Sequence, residues 1–261
     1  MRSMLLWLAM LLTVAAPVRA QRLDDTPRTV VMTAFAPEWA ALVHTIDGPV
    51  EHRINGLTLV TGTMAGKPVL LLQSGVSMVN AAMNAQLVID RFVVKRIVFS
   101  GIAGGVDPAL AIGDVVVPAH WGQYLEVSFA RQVRKRGKRL AWQPPEPVDA
   151  AAPPRFGMMF PRGVRVGNAS ETATRHYAFA VDPALLELAR KVAARISLRR
   201  CVAEPAAAYA GTVVAETPRC LAHSPRIIVG GTGVSAGVFA DNARFRRYLF
   251  AAWQARVLDM E

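Results

Sequence analysis

The chain has 261 residues, 52% hydrophobic and 19% charged, which is enough to bury a sizeable core and too apolar for a disordered chain. Its two cysteines exclude a disulfide-dense miniprotein, and its one uninterrupted apolar run ends by residue 17, so the mean hydropathy of +0.28 does not imply a bundle of membrane spans. Thirty Lys and Arg against 19 Asp and Glu give a net charge of +11, which raises the question of an anionic partner.

Arg2, the apolar stretch Met4 to Ala16, Pro17 and the small-residue pattern Val18-Arg19-Ala20 have the layout of a secretory signal peptide cleaved after Ala20. About a dozen apolar residues would span only roughly 18 Å as a helix, against a bilayer core of about 30 Å. The expected location is therefore periplasmic or secreted, without a stable membrane anchor. Loss of residues 1–20 leaves 28 basic against 19 acidic residues, a charge of +9.

Strands are expected at Thr29 to Phe35, Leu57 to Gly62 and Pro68 to Ser74, each a short apolar run bounded by Gly, Pro or polar residues. Ser77 to Phe92 carries apolar residues at helical spacing, with Asn and Gln assigned to the other face, and leads into a strand at Arg96 to Ser100. Gly101 to Gly105 breaks the chain, and Gly113-Asp114 opens a strand at Val115 to Pro118. A helix is expected from Pro183 to Ile196, with Asp182 as its cap. Strands at Thr212 to Ala215 and Arg226 to Gly230, a helix at Asp241 to Gln254 and a strand at Arg256 to Asp259 complete the pattern. Alternation of this kind predicts an α/β fold, a single domain over residues 21–261 with a central mixed β-sheet flanked by helices.

Residues 131–161 read as a surface insertion: a basic run (RQVRKRGKR) and then a Pro-rich stretch. Arg131, Arg134, Lys135, Arg136, Lys138 and Arg139 could each meet a phosphate, but a solvated loop or attraction to an anionic envelope is the favoured reading. Without these six cations the charge of +9 falls to +3, so the excess is mostly local. Cys201 and Cys220 are read as one disulfide, since an exported protein meets oxidising conditions. A metal site would have His223 as its further ligand candidate, and no metal is expected.

Three features carry chemistry. Glu38 follows the first strand, where open α/β sheets bind ligands; it is either an acid, base or water-positioning group or a first-turn Glu countering the helix dipole. Ser100-Gly-Ile-Ala-Gly-Gly105 also sits at a strand end, where glycines let backbone N–H groups approach a ligand, although a plain tight turn explains them too. It has neither Walker nor dinucleotide spacing. Asp259 and Glu261 should share a face of the last strand, and paired carboxylates recur where glycosidic bonds are cleaved; an ordinary polar strand terminus is the alternative.

The pieces AFAPEWAAL, LLLQSGVSMVNAA, IVFSGIAGGVDPALAIGDVVVP and RVLDME, in that order, resemble the nucleoside phosphorylase superfamily, and most closely its hydrolytic branch, the methylthioadenosine and S-adenosylhomocysteine nucleosidases. The resemblance covers roughly residues 29–118 and 226–261, with SGIAGGVDPALAIGDVVVP its most specific segment. FGMMFP and GGTGVSAG look like an exported subgroup. The resemblance implies a three-layer fold, no cofactor, and hydrolysis of the N-glycosidic bond of a purine nucleoside. It assigns Glu38 to the attacking water, Glu261 beside Met260 to the ribose hydroxyls, the loop with Gly101, Ala103 and Gly104 to the underside of the sugar, and Val234 and Ser235 to the purine, where an aromatic is more usual. It places the purine-protonating Asp on one further strand, followed by a closing helix, so the sequence is expected to be a truncated version with impaired activity. The alternatives are a nucleoside-binding or uptake-associated periplasmic protein without catalysis, and a phosphorolytic enzyme, the latter disfavoured because no Arg lies between Arg96 and Arg131. The expected partner is a small-molecule nucleoside, with a homo-oligomer left open and nucleic acid not expected.

Overall fold

The structure is a computed structural model that describes residues 22–134, 140–202 and 219–261. The signal segment, the strand expected at Thr212 to Ala215 and positions 135–139 of the basic run lie outside these residues. The chain divides into two compact units: the described residues through Gly75 with Asn80–Ser100, and Val76–Val79 with Gly101–Glu261.

The first unit holds strands β1 (Asp24–Thr33), β2 (Asp47–Ile54), β3 (Leu57–Met64), β4 (Lys67–Gln73) and β5 (Phe92–Phe99), with helix α1 (Ala36–Val43) and most of helix α2 (Met78–Arg91). The sheet order is β2-β3-β4-β1-β5; β4, β1 and β5 are parallel, and β2 and β3 run antiparallel. Val30 to Thr33 and Val69 to Leu72 are buried without interruption, as strands covered on both faces must be. Their side chains alternate between two cores. Leu70 and Leu72 join Val30, Met32, Leu59 and the α2 residue Val88 on one face, while Val69 and Leu71 join Val31 and Val60 under Trp39, Leu42 and Val43 of α1 on the other. Asn55 and Gly56, both at positive φ (50° and 80°), make the tight turn between β2 and β3, a geometry that favours this residue pair. Asn84 departs from its expected outward position. It is buried and donates from Nδ2 to the Ser74 carbonyl at 2.8 Å, so the polar side chain faces inward because it satisfies the end of β4.

The second unit contains β6 (Gly104–Gly105), β7 (Val115–Val117), β8 (His120–Gln123), β9 (Val127–Phe129), β10 (Arg131–Arg134), β11 (Leu140–Gln143), β12 (Met159–Pro161), β13 (Val164–Val166), β14 (Thr174–His176), β15 (Phe179–Ala180), α3 (Pro183–Ala193), β16 (Cys201–Val202), β17 (Arg219–Cys220), β18 (Ile227–Val229), β19 (Thr232–Ser235), α4 (Ala243–Trp253) and β20 (Ala255–Asp259). Its main sheet has the order β15-β8-β19-β20-β6, with β8, β19 and β20 parallel and the outer strands antiparallel. The α/β class with a mixed sheet and flanking helices is thus what the chain forms, with its principal strands shared between two five-stranded sheets. α4 is the crossover between the parallel strands β19 and β20. Its Leu249 and Trp253 pack with Val106, Tyr124, Val234 and Ala255.

The caps follow sequence logic: Asp182 accepts from the Ala184 and Leu185 N–H groups, and Asn242 from that of Phe245. The insertion carries regular pairing in its described residues: β10 pairs antiparallel with β11, and β12 with β9. Its end is fastened to α4, where Phe156 packs edge-on against Phe245, Arg244 lies over the Phe156 ring, and the Tyr248 hydroxyl donates to the Pro154 carbonyl at 2.8 Å. Cys201 and Cys220 form a disulfide between β16 and β17.

Candidate active site

In the first unit, Glu38 lies at the C-terminal end of β1 and in the first turn of α1. Pro37 beside it is compatible with a helix start because the first turn needs no donor there. The Glu38 Oε2 accepts from the Ala34 N–H at 2.6 Å and the Phe35 N–H at 3.4 Å. The carboxylate therefore closes the helix N-terminus, as the first-turn reading expects. Around it the parallel strand ends are tied together: Ser74 donates from N to the Thr33 carbonyl at 2.7 Å, and Ser100 from N to the Met32 carbonyl at 2.9 Å.

In the second unit, β20 is flanked by β19 and β6. Val234 pairs in register with Leu258 and Ser235 with Asp259, while Gly104 pairs with Leu258 from the other side. This brings together four of the features singled out in the sequence: the Gly-rich segment, Val234-Ser235, Asp259 and Met260-Glu261. Val234 and Ser235 are buried, whereas Gly101, Ala103 and Gly104 are exposed. Glu261 accepts from the Ser77 N–H at 3.3 Å through Oε1 and from the Met260 N–H at 3.4 Å through Oε2.

Two residues at this end escaped the sequence reading. Ser77 has φ 113°, a conformation that side-chain-bearing residues rarely adopt and that costs about 1–3 kcal/mol; its N–H meets Glu261. Nothing in the letters QSGVSMVN marks that dihedral. The second is Tyr124, fully buried after β8, whose hydroxyl has no hydrogen-bond partner among the described residues. Burial, and secondarily the Asp259 charge, push its ionisation up to about 12, so the phenol stays protonated. A tyrosine at a strand end gives no sequence signal for this beyond its size.

The Gly-Asp pair has a structural role. Asp114 accepts from the Ala111 N–H at 3.1 Å, the Arg226 N–H at 2.8 Å and the Arg226 guanidinium at 3.0 Å. It thereby joins the start of β7 to the start of β18, its parallel partner. These contacts, the Ala111 N–H first, hold its carboxyl below the usual range. Among the described residues no group of three or more His, Cys, Asp or Glu is arranged to hold a metal ion.

Within the second unit, the glycine-rich segment, the buried Val234-Ser235 pair and the carboxylates of Asp259 and Glu261 gather at the end of β20. Residues 28–261 match the model of the phosphorylase superfamily, and the chain belongs to that family. It is 37% identical over 87 residues to a 5'-methylthioadenosine/S-adenosylhomocysteine nucleosidase of Shewanella frigidimarina, and 40% identical over 87 residues to one of Listeria innocua. The first match covers 33% of this chain and 38% of that relative, the second 33% and 37%, so the matched stretch spans little more than a third of either curated protein. Among solved structures, the Colwellia psychrerythraea nucleosidase of the same description, in complex with adenine, superposes with TM-score 0.58 at 18% identity, over 91% of this chain and 74% of that one. The Neisseria meningitidis enzyme in complex with methylthio-immucillin-A gives 0.56 at 20% identity, over 90% and 76%. Futalosine hydrolase of Helicobacter pylori gives 0.56 at 16% identity, over 91% and 79%. At these identities the likeness is one of fold.

Proposed function

We propose that the protein hydrolyses the N-glycosidic bond of a purine nucleoside, with 5'-methylthioadenosine and S-adenosylhomocysteine as first candidates because those are named for its relatives. The observation that carries this reading is the end of β20, where Met260-Glu261 emerges beside Ser235 and Asp259 with the Glu261 carboxylate held by backbone N–H groups. Cleavage proceeds toward an oxocarbenium-like sugar while the base departs with the bonding electrons. Glu261, accepting from the ribose hydroxyls, would fix the sugar in a reactive pose. Gly101, Ala103 and Gly104 would supply backbone under the sugar, and Val234 and Ser235 would frame the base. Glu38 is assigned to orienting and activating the water. Water's oxygen bonds to C1 of the sugar as the bond to the base nitrogen breaks; the proton that water gives up to Glu38 is balanced by one that the departing base takes from solvent. The N-terminal segment supports export as the setting for this activity.

The test is incubation of purified protein with methylthioadenosine, adenosine and inosine, with and without phosphate. Free base released equally in both buffers is the expected result. Release that requires phosphate would make the enzyme a phosphorylase, and binding without release in either buffer would leave a nucleoside-binding protein.

A further inference from the structure

The β19–β20 ladder ends at the pair Ser235 and Asp259, and the next link, from the Ala236 N–H to the Asp259 carbonyl, is already long at 3.4 Å. Met260 and Glu261 lie beyond the strand, so the placement of the Glu261 backbone depends on what restrains Asp259. One such restraint is a side-chain bond: the Ser235 hydroxyl donates to the Asp259 Oδ1. An ionised carboxylate only accepts, so the serine's single proton is committed to it, and such charge-assisted bonds are the strong ones. The Ser77 N–H contact to Glu261, at 3.3 Å, lies at the long end for an N–H···O bond. We propose that Asp259, locked to Ser235, is a positioning residue that sets Glu261 for the sugar. This inference rests on the nucleosidase reading for its consequence, though not for its geometry. Tyr124 supports it from the neighbouring strand: Gln123, just before it, pairs in register with Ser235, and its buried phenol feels the Asp259 charge.

The experiment is a double-mutant cycle in the full chain. Asp259→Ala is expected to lower kcat/KM by about tenfold or more, since small misplacements of a substrate-holding group are costly. Asp259→Asn, whose amide oxygen still accepts from Ser235, should restore most of it. In an Glu261→Gln background, Asp259→Ala should cost little further, because residues acting through one another are non-additive. A full tenfold loss persisting in that background, or a folded Asp259→Ala with unchanged kcat/KM, would overturn the proposal. Asp259→Ser, polar but too short to reach Ser235, carries the same expectation if Asp259→Ala misfolds. The Ser77 amide provides a readout without catalysis: its NMR shift should move in Asp259→Ala and remain in Asp259→Asn. If the wild type releases no base, the nucleosidase reading fails alone; if the Ser77 amide is indifferent to Asp259, the positioning role fails whatever the activity.

Discussion

At Glu261 a carboxylate accepts from two backbone N–H groups at 3.3 and 3.4 Å, an arrangement that leaves lone pairs for a ligand. Glu261→Gln keeps the shape and removes the charge, and it is expected to lower kcat/KM for nucleoside cleavage by about 10²-fold with thermal stability unchanged, read by steady-state kinetics beside a melting curve. Asp114 is the contrasting case, a carboxylate used for folding. Its side chain is 3% exposed and bridges to Arg226, so Asp114→Asn should destabilise by on the order of 1–3 kcal/mol in urea unfolding at neutral pH. Because its carboxyl is held below the ordinary 3.8, its contribution is complete above that value and disappears as pH falls through the lower, folded-state value. The difference between wild type and Asp114→Asn should therefore shrink on acidification below about pH 4. Residue roles were unevenly legible in sequence. Glu261 and Glu38 could be singled out as carboxylates at strand ends, each with an ordinary structural alternative, whereas Ser77 stands out through a dihedral and Tyr124 through a buried hydroxyl, neither of which a residue type reveals.

The elements that could be read from sequence are those whose burial is set locally. β1 and β4 are continuous apolar runs because both faces are covered, and α3 declares itself through Asp182; α4 is expected over Asp241 to Gln254, and the structure adds Asn242 as its cap. β8 (HWGQ) and β19 (TGVS) lack such a run. They exist because partners pair with them, and because Trp121 lies over Gly233 so closely that a Cβ there would come within 2.6 Å of the ring. Asn242→Ala should remove about 1 kcal/mol of stability through the lost α4 cap, measured by thermal or urea unfolding; an unchanged midpoint would mean the helix is held by packing alone. The Cys201–Cys220 bridge links residues 19 apart, and reducing it should cost about 3 kcal/mol by the loop-closure argument. Unfolding in the presence and absence of reductant measures that directly.

For the whole molecule, a charge of +11 is no guide to the site, since six of the cations sit in the 131–139 run and the candidate site is organised by carboxylates, hydroxyls and backbone. What the family match adds is continuity: it runs from residue 28 to 261, through both compact units, whereas the closely similar stretch in the curated nucleosidases is 87 residues. The sheet pairing could not be read in advance, because strand-like segments carry no label for the partner they will find. We propose that water, guided by this chain, takes the place of the purine on the sugar, and cleavage of methylthioadenosine in ¹⁸O-labelled water, with the sugar product followed by mass spectrometry, tests this directly. Free adenine together with a sugar carrying the label at C1, reduced in Glu261→Gln, is the expected result; a sugar 1-phosphate without the label, or no cleavage by folded wild-type protein, would contradict hydrolysis.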